Sequence, residues 1–179
     1  MSESVIGPQF DDLVNLFPDP DGPPDVEIVS PSHVVPPYHQ LLVHSHHMTV
    51  AVEEFYRVPV NVRVLASRHE GDYYSRKILL TLEKSGKIVQ YGAVRINLAL
   101  CEPDVRAAIE SEKIPLGRVL IQHNVLRSIH PTSFLKVAPH PTICQWFGLT
   151  EGVTTWGRLG VIFCDERPAI EVLEILAPV

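Results

Sequence analysis

At 179 residues, with 45% hydrophobic side chains and a formal charge of −6, the chain has room for one domain with its own core. No apolar run reaches the roughly 18 residues of a membrane span, and MSESVIGPQFDD lacks the basic and apolar regions of a signal peptide. A cytoplasmic protein with no membrane partner is expected. Cys101, Cys144 and Cys164 are odd in number and show no CxxC spacing, which argues against a disulfide framework or a thiolate metal cluster.

The charge is unevenly placed. Residues 1–56 hold nine carboxylates and no Lys or Arg, leaving 15 basic against 12 acidic side chains in the rest, about +3. Such a body suits a small anionic ligand, but it has no basic stripe of the kind nucleic acid requires. Eight of the sixteen prolines lie in the first 40 residues, in stretches such as FPDPDGPPD and VVPPYHQ. Each proline removes a donor and fixes its own backbone, so residues 1–40 are expected to be an extended, acidic, Pro-rich lead-in on the surface, with one short helix near Phe10 to Leu16. A single domain over residues 41–179 follows.

In that domain Thr49 to Tyr56 has the pattern of a modest helix, and VPVNVRVLAS then alternates as a half-buried strand. YYSRKILLTLEKSGKIVQYGAVRINLAL reads as a hairpin about Lys84-Ser85-Gly86-Lys87. EPDVRAAIESE is a helix with acidic residues at its positive end, and PLGRVLIQHNVL is a second, opened by proline. SFLKVAP is a short strand. TTWGRLGVIFCDERPAIEVLEIL is a second long hairpin, turning over Asp165 to Pro168. Hairpin-linked strands with a few helices between them predict an α+β fold on an antiparallel sheet.

Three features bear on chemistry. Arg76 shares a strand face with Tyr74, Ile78, Leu80 and Leu82, so a guanidinium points to the apolar side and needs a carboxylate there, from protein or ligand, unless it snorkels at an edge. Glu171 and Glu174 are three apart and face opposite ways, so only one can enter a given cavity; a glutamate in the core could serve as a general acid or base. IPLGRVL starts a helix whose first N–H groups lack partners and could hold a carboxylate, although such a turn alone is weak evidence.

Taken together, HHMT, SRKILL, IPLGRVL, TWGR and EILAP follow one another in the order and spacing of the chorismate lyase-like superfamily, and the chain resembles chorismate pyruvate-lyase. That superfamily also includes ligand-binding domains of transcription regulators. The resemblance implies an antiparallel sheet of about six strands with helical flaps over a closed cavity. It also implies a carbon-oxygen lyase that converts chorismate to 4-hydroxybenzoate and pyruvate without metal or cofactor, acting as monomer or homodimer. Arg76 would take the ring carboxylate with the Leu116 and Gly117 amides, Met48 would line the cavity, and Glu174 would stand beside the reacting group; Arg76 and Glu174 would be catalytic. Between Pro168 and Glu174 there is one residue more than the family pattern, so Glu171 stays a rival unless a β-bulge absorbs it. Arg95 lies two residues from the usual family arginine and would substitute for it from the same strand face; Arg127 is displaced by one and is not carried over. The alternative is a non-catalytic binding domain of the same fold for a hydroxybenzoate-like molecule. A stand-alone regulator is not expected, because residues 1–40 do not read as a DNA-binding module.

His44, His46 and His47 remain. Neutral imidazoles can ligate zinc or iron, but no carboxylate or cysteine stands at ligand spacing. They are read first as solvated residues ahead of a helix, second as a polar lining near the flap, and only last as a metal site.

Overall fold

The computed structural model describes residues 6–179; the first five residues of the lead-in, Glu3 among them, lie outside the described residues. In chain order the elements are α1 (Phe10–Val14), β1 (Val26–Val29), α2 (Tyr38–Leu42), α3 (Met48–Tyr56), β2 (Val60–Glu70), β3 (Tyr73–Leu82), β4 (Ile88–Asn97), α4 (Pro103–Glu110), α5 (Leu116–Gln122), β5 (Arg127–Val137), α6 (Pro141–Phe147), β6 (Thr155–Cys164) and β7 (Arg167–Leu176). The strands form one seven-stranded sheet in the order β1-β5-β6-β7-β4-β3-β2, every pairing antiparallel. This is the expected α+β architecture. None of the described helices is long and apolar enough to cross a membrane.

The seventh strand comes from the Pro-rich lead-in. β1 is four residues long, flanked by Pro24 and Pro31, and pairs on one side only, with β5. Short length and edge placement are what neighbouring prolines permit. The lead-in also reaches the core: Phe10, Leu13, Val14 and Leu16 are buried against Leu79, Tyr91, Leu173 and Ile175, each worth about 1.5–3 kcal/mol over exposure. Asp19 pairs with Lys77 and accepts from Trp146 Nε1 at 3.1 Å, so the segment is pinned to the sheet instead of running over the surface.

β5 is longer than the short strand read from SFLKVAP, because Pro131 adjoins a bulge at Thr132, where a missing donor breaks no ladder. α6 was assigned no element from sequence. His140 Nδ1 accepts the Thr142 N–H at 3.2 Å, Pro141 begins the helix, and Gly148 ends it at φ +65°. The second hairpin turns on only two residues, Asp165 and Glu166, both left-handed, as a type I′ turn needs.

Both faces of the sheet are covered. α1 and α6 pack on one face, against the odd-numbered residues of β3, β4 and β7. On the other face two apolar clusters meet: α2 and α3 over Ile78, Leu80 and Trp156, and α4 and α5 over Val94, Ile162 and Val172. The seam between these clusters is where packing leaves space.

Candidate functional site

Inward side chains of β3, β4 and β7 form the floor of a cavity at this seam, and the first residues of α3 and α5 form its roof. A water molecule's centre can sit in about 50 Å³ of it. That is roughly three to five waters, or about 100–150 Å³ of liquid, the bulk of one small ring or short chain. Gly92 keeps the floor low: a Cβ there would stand 3.1 Å from Ile78 Cδ1. Gly117 lets α5 abut the start of α3, since its Cβ would lie 2.9 Å from His47 Cβ.

Arg76 lines this cavity and is 1% exposed. Its Nε has no partner, and Nη1 reaches only the Ile109 carbonyl, at 3.5 Å. No carboxylate lies within salt-bridge distance among the described residues. The neighbouring acid, Glu112, accepts the Tyr74 hydroxyl at 2.6 Å. Burial draws the guanidinium pKa down from its ordinary value, with Tyr74 and Glu112 opposing, and an arginine still keeps its proton at neutral pH. A buried cation thus faces the cavity without a carboxylate in contact.

Met48, Leu116 and Gly117 also line the cavity. Within α5 the first return bond runs from Val119 N–H to the Pro115 carbonyl, so the amides of Leu116 and Gly117 are not used by the helix. Pro115 precedes the first helical residue instead of occupying it.

Glu174 faces the cavity and Glu171 the opposite side. A bulge at Ala169 accounts for the spacing: Ile162 pairs with Ile170 but Phe163 with Pro168, so one extra residue is absorbed before Glu174. Arg95 is not in the cavity. It shares the α1/α6 side of β4 with Tyr91 and Ala93, and its guanidinium pairs with Glu171 at 2.6 Å on the half-exposed rim. Strand alternation from Gly92 and Val94 puts it there, so the expected substitution for a family arginine is corrected.

Arg158, from TWGR, is the residue that sequence reasoning missed. It is 1% exposed; Nε donates to Glu174 Oε2 at 2.7 Å, Nη1 to the carbonyls of Leu42 at 3.1 Å and His44 at 3.0 Å, and Nη2 to that of His46 at 3.0 Å. The signal was present: Arg158 stands in an apolar strand, as Arg76 does.

This clamp decides the histidines. His44 Nε2 donates to the Leu41 carbonyl at 2.8 Å, while Nδ1 accepts the His46 N–H at 3.1 Å; burial, then Arg158, lowers its pKa to about 4. His47 is buried rather than solvated and lines the cavity. Its Nε2 accepts from Arg127 Nε at 2.7 Å. An arginine can only donate, so the neutral ring carries its proton on Nδ1. Burial, then Arg127, lowers its pKa to about 4. These lone pairs serve the loop, and no metal-holding group of three His, Cys, Asp or Glu exists among the described residues.

No family model matches this chain, and no curated protein does. Solved structures do. PhnF from Mycobacterium smegmatis is similar at a TM-score of 0.52 and 10% identity, over 75% of this chain and 65% of that one. YydK from Bacillus subtilis, described as a possible transcriptional regulator, gives 0.48 and 9% over 65% of this chain and 58% of its own. A ligand-binding domain ascribed to a GntR-family transcriptional regulator from Bordetella bronchiseptica gives 0.48 and 12%, over 65% and 85%. This chain therefore spans less than two thirds of the length of YydK and of PhnF.

The fold is the chorismate lyase-like α+β fold. The expectation of a carbon-oxygen lyase is corrected: none of the three solved structures is described as an enzyme, and those described by a role are given as a possible transcriptional regulator and as a ligand-binding domain ascribed to one. Locally, one oxygen of Glu174 is held by Arg158 at 2.7 Å, so that carboxyl group is already engaged by the protein.

Proposed function

We propose that this domain is a non-catalytic binding domain for a small organic anion, the alternative that the resemblance left open. The observation that carries the reading is Arg76: a fully buried guanidinium with an unpaired Nε, lining the cavity. Leaving such a group unmatched costs several kcal/mol, and an entering carboxylate would supply the missing partner. The Leu116 and Gly117 amides and Met48 complete the lining, and the volume suits a hydroxybenzoate-sized molecule.

Calorimetric titration with 4-hydroxybenzoate, in wild type and Arg76→Ala, tests it. Removing a charge-assisted contact of about 1.5–3 kcal/mol should weaken binding by about tenfold to a hundredfold while the domain stays folded. A destabilised variant with unchanged affinity per folded molecule would mean that Arg76 serves the fold through Tyr74 and Glu112, and the proposal would fall.

A further inference from the structure

We infer that a small acid enters the cavity through the open pocket on the outer side of His47, with Arg127 as its first anion contact and the His47 side chain as the door. The inference rests on the anion-binding reading for what passes, and adds to it a route and a contact outside the cavity.

Arg76 is 1% exposed, so an acid reaches it by displacing part of the wall. His47 lines both this cavity and a pocket on the surface, and the two share no other residue. The outer pocket is formed by the loop before α3, the α3 residue Val50, the end of α5 and the start of β5. Val50, Ile121 and Ile129 give it an apolar side that fits the face of a ring, Arg127 and Ser128 give it a polar one, and no carboxylate lines it. Charge and shape there suit the same class of molecule that Arg76 would hold inside.

One contact latches the door. His47 stands just before the first residue of α3, and its side chain makes no capping bond to the helix. The ring is held by a single hydrogen bond, donated by Arg127 Nε to Nε2 at 2.7 Å. On the α5 side it meets Gly117, which has no side chain to wedge it. The neutral ring is faced by Arg127, Arg158 and His46, so no opposite charge holds it once that bond is gone. Arg127 gives Nη1 to the Val125 carbonyl at 3.0 Å, which leaves three of its five N–H groups without a partner among the described residues. A carboxylate that grips the Nε–Nη2 edge of a guanidinium takes both N–H groups of that fork. It therefore takes the hydrogen that His47 now accepts, and capture of the acid outside frees the ring to swing about its Cα–Cβ bond.

A thiol on the cavity floor reports access directly. Val94→Cys places one beside Arg76 in the sheet register. Alkylation at that position by neutral iodoacetamide and by the anion iodoacetate is followed by peptide mass spectrometry. Three proteins are compared: the Val94→Cys parent, the parent with Arg127→Ala, and the parent with Ser128→Trp, which fills the outer pocket from an exposed position. Arg127→Ala should speed iodoacetamide by about tenfold, as expected for loss of a charge-assisted hydrogen bond. The preference for iodoacetate over iodoacetamide should fall by about threefold or more with the outer cation removed. Ser128→Trp should slow both reagents severalfold. Rates in both variants equal to the parent's would mean entry elsewhere, such as past the half-buried Val62 and Leu116, and would overturn the inference. Slowing by Ser128→Trp without any effect of Arg127→Ala overturns the latch and the inference with it, as does a thiol that reacts in none of the three. No acid ligand enters this experiment, so its failure is separate from that of the anion-binding reading, which the titrations of wild type and Arg76→Ala decide.

Discussion

Arg158→Leu is the substitution with the most to say about how this site is built. The side chains of Arg158 and Glu174 are 2% and 13% exposed and lie 2.7 Å apart, so truncation strands a carboxylate at the cavity wall. Breaking one partner of a buried pair costs about 3–5 kcal/mol. For a domain of this length that lowers the melting temperature by about 6–20 °C. The same change frees the carbonyls of Leu42, His44 and His46, so the loop between α2 and α3 should lose hydrogen-exchange protection before the sheet does. The double variant Arg158→Leu/Glu174→Leu separates the two effects. It leaves no stranded charge and should be more stable than Arg158→Leu alone, and its remaining deficit against wild type measures the carbonyl clamp. Urea unfolding of wild type, Arg158→Leu, Glu174→Leu and the double variant reads the coupling. A loss below about 1 kcal/mol in Arg158→Leu, or strictly additive single effects, would show that the pair carries little and that the loop is held by other contacts.

Further outcomes are open to measurement. The pKa values of His44 and His47 fall from 6.5 to about 4 on folding, so the unfolded chain binds more protons between those values. Their contribution to stability is fully present above about pH 6.5 and is lost as pH falls toward 4. Urea midpoints at pH 7, 5.5 and 4.5 should drop in wild type and drop less in His47→Gln, and parallel pH profiles would refute the assignment. Arg127→Ala removes the donor that keeps the proton of His47 on Nδ1, so imidazole nitrogen shifts should move from one tautomer to a mixture; unchanged shifts would mean another group sets the tautomer. Gly92→Ala adds a Cβ 3.1 Å from Ile78 Cδ1 at the cavity floor, and should weaken acid binding by at least about tenfold at a stability cost of about 1–3 kcal/mol. Unaltered binding would place the ligand elsewhere.

Local rules made much of this protein legible from its residues. Alternation in YYSRKILLTL points Arg76 into the apolar side whatever the sheet order, because side chains of a strand change face at every residue. The same rule places Glu171 and Glu174 on opposite sides, and turn chemistry located both hairpins to within two residues. Proline confined the lead-in to short pieces, but could not say that Leu13 would be buried or that Val26–Val29 would pair with β5, since both depend on surfaces distant in sequence.

What alternation could not supply was decided by contacts across the chain. Which glutamate meets the cavity depends on the bulge at Ala169, an extra residue visible only against the pairing strand. Arg95 was placed by analogy, and the register with Glu171 sends it to the rim. His44, His46 and His47 could have been ligands, solvated residues or a lining as far as spacing goes. Arg158, some 110 residues further along, engages the backbone about them. A short polar segment has several states of similar local energy, and the one adopted is set by the buried cation whose N–H groups need acceptors.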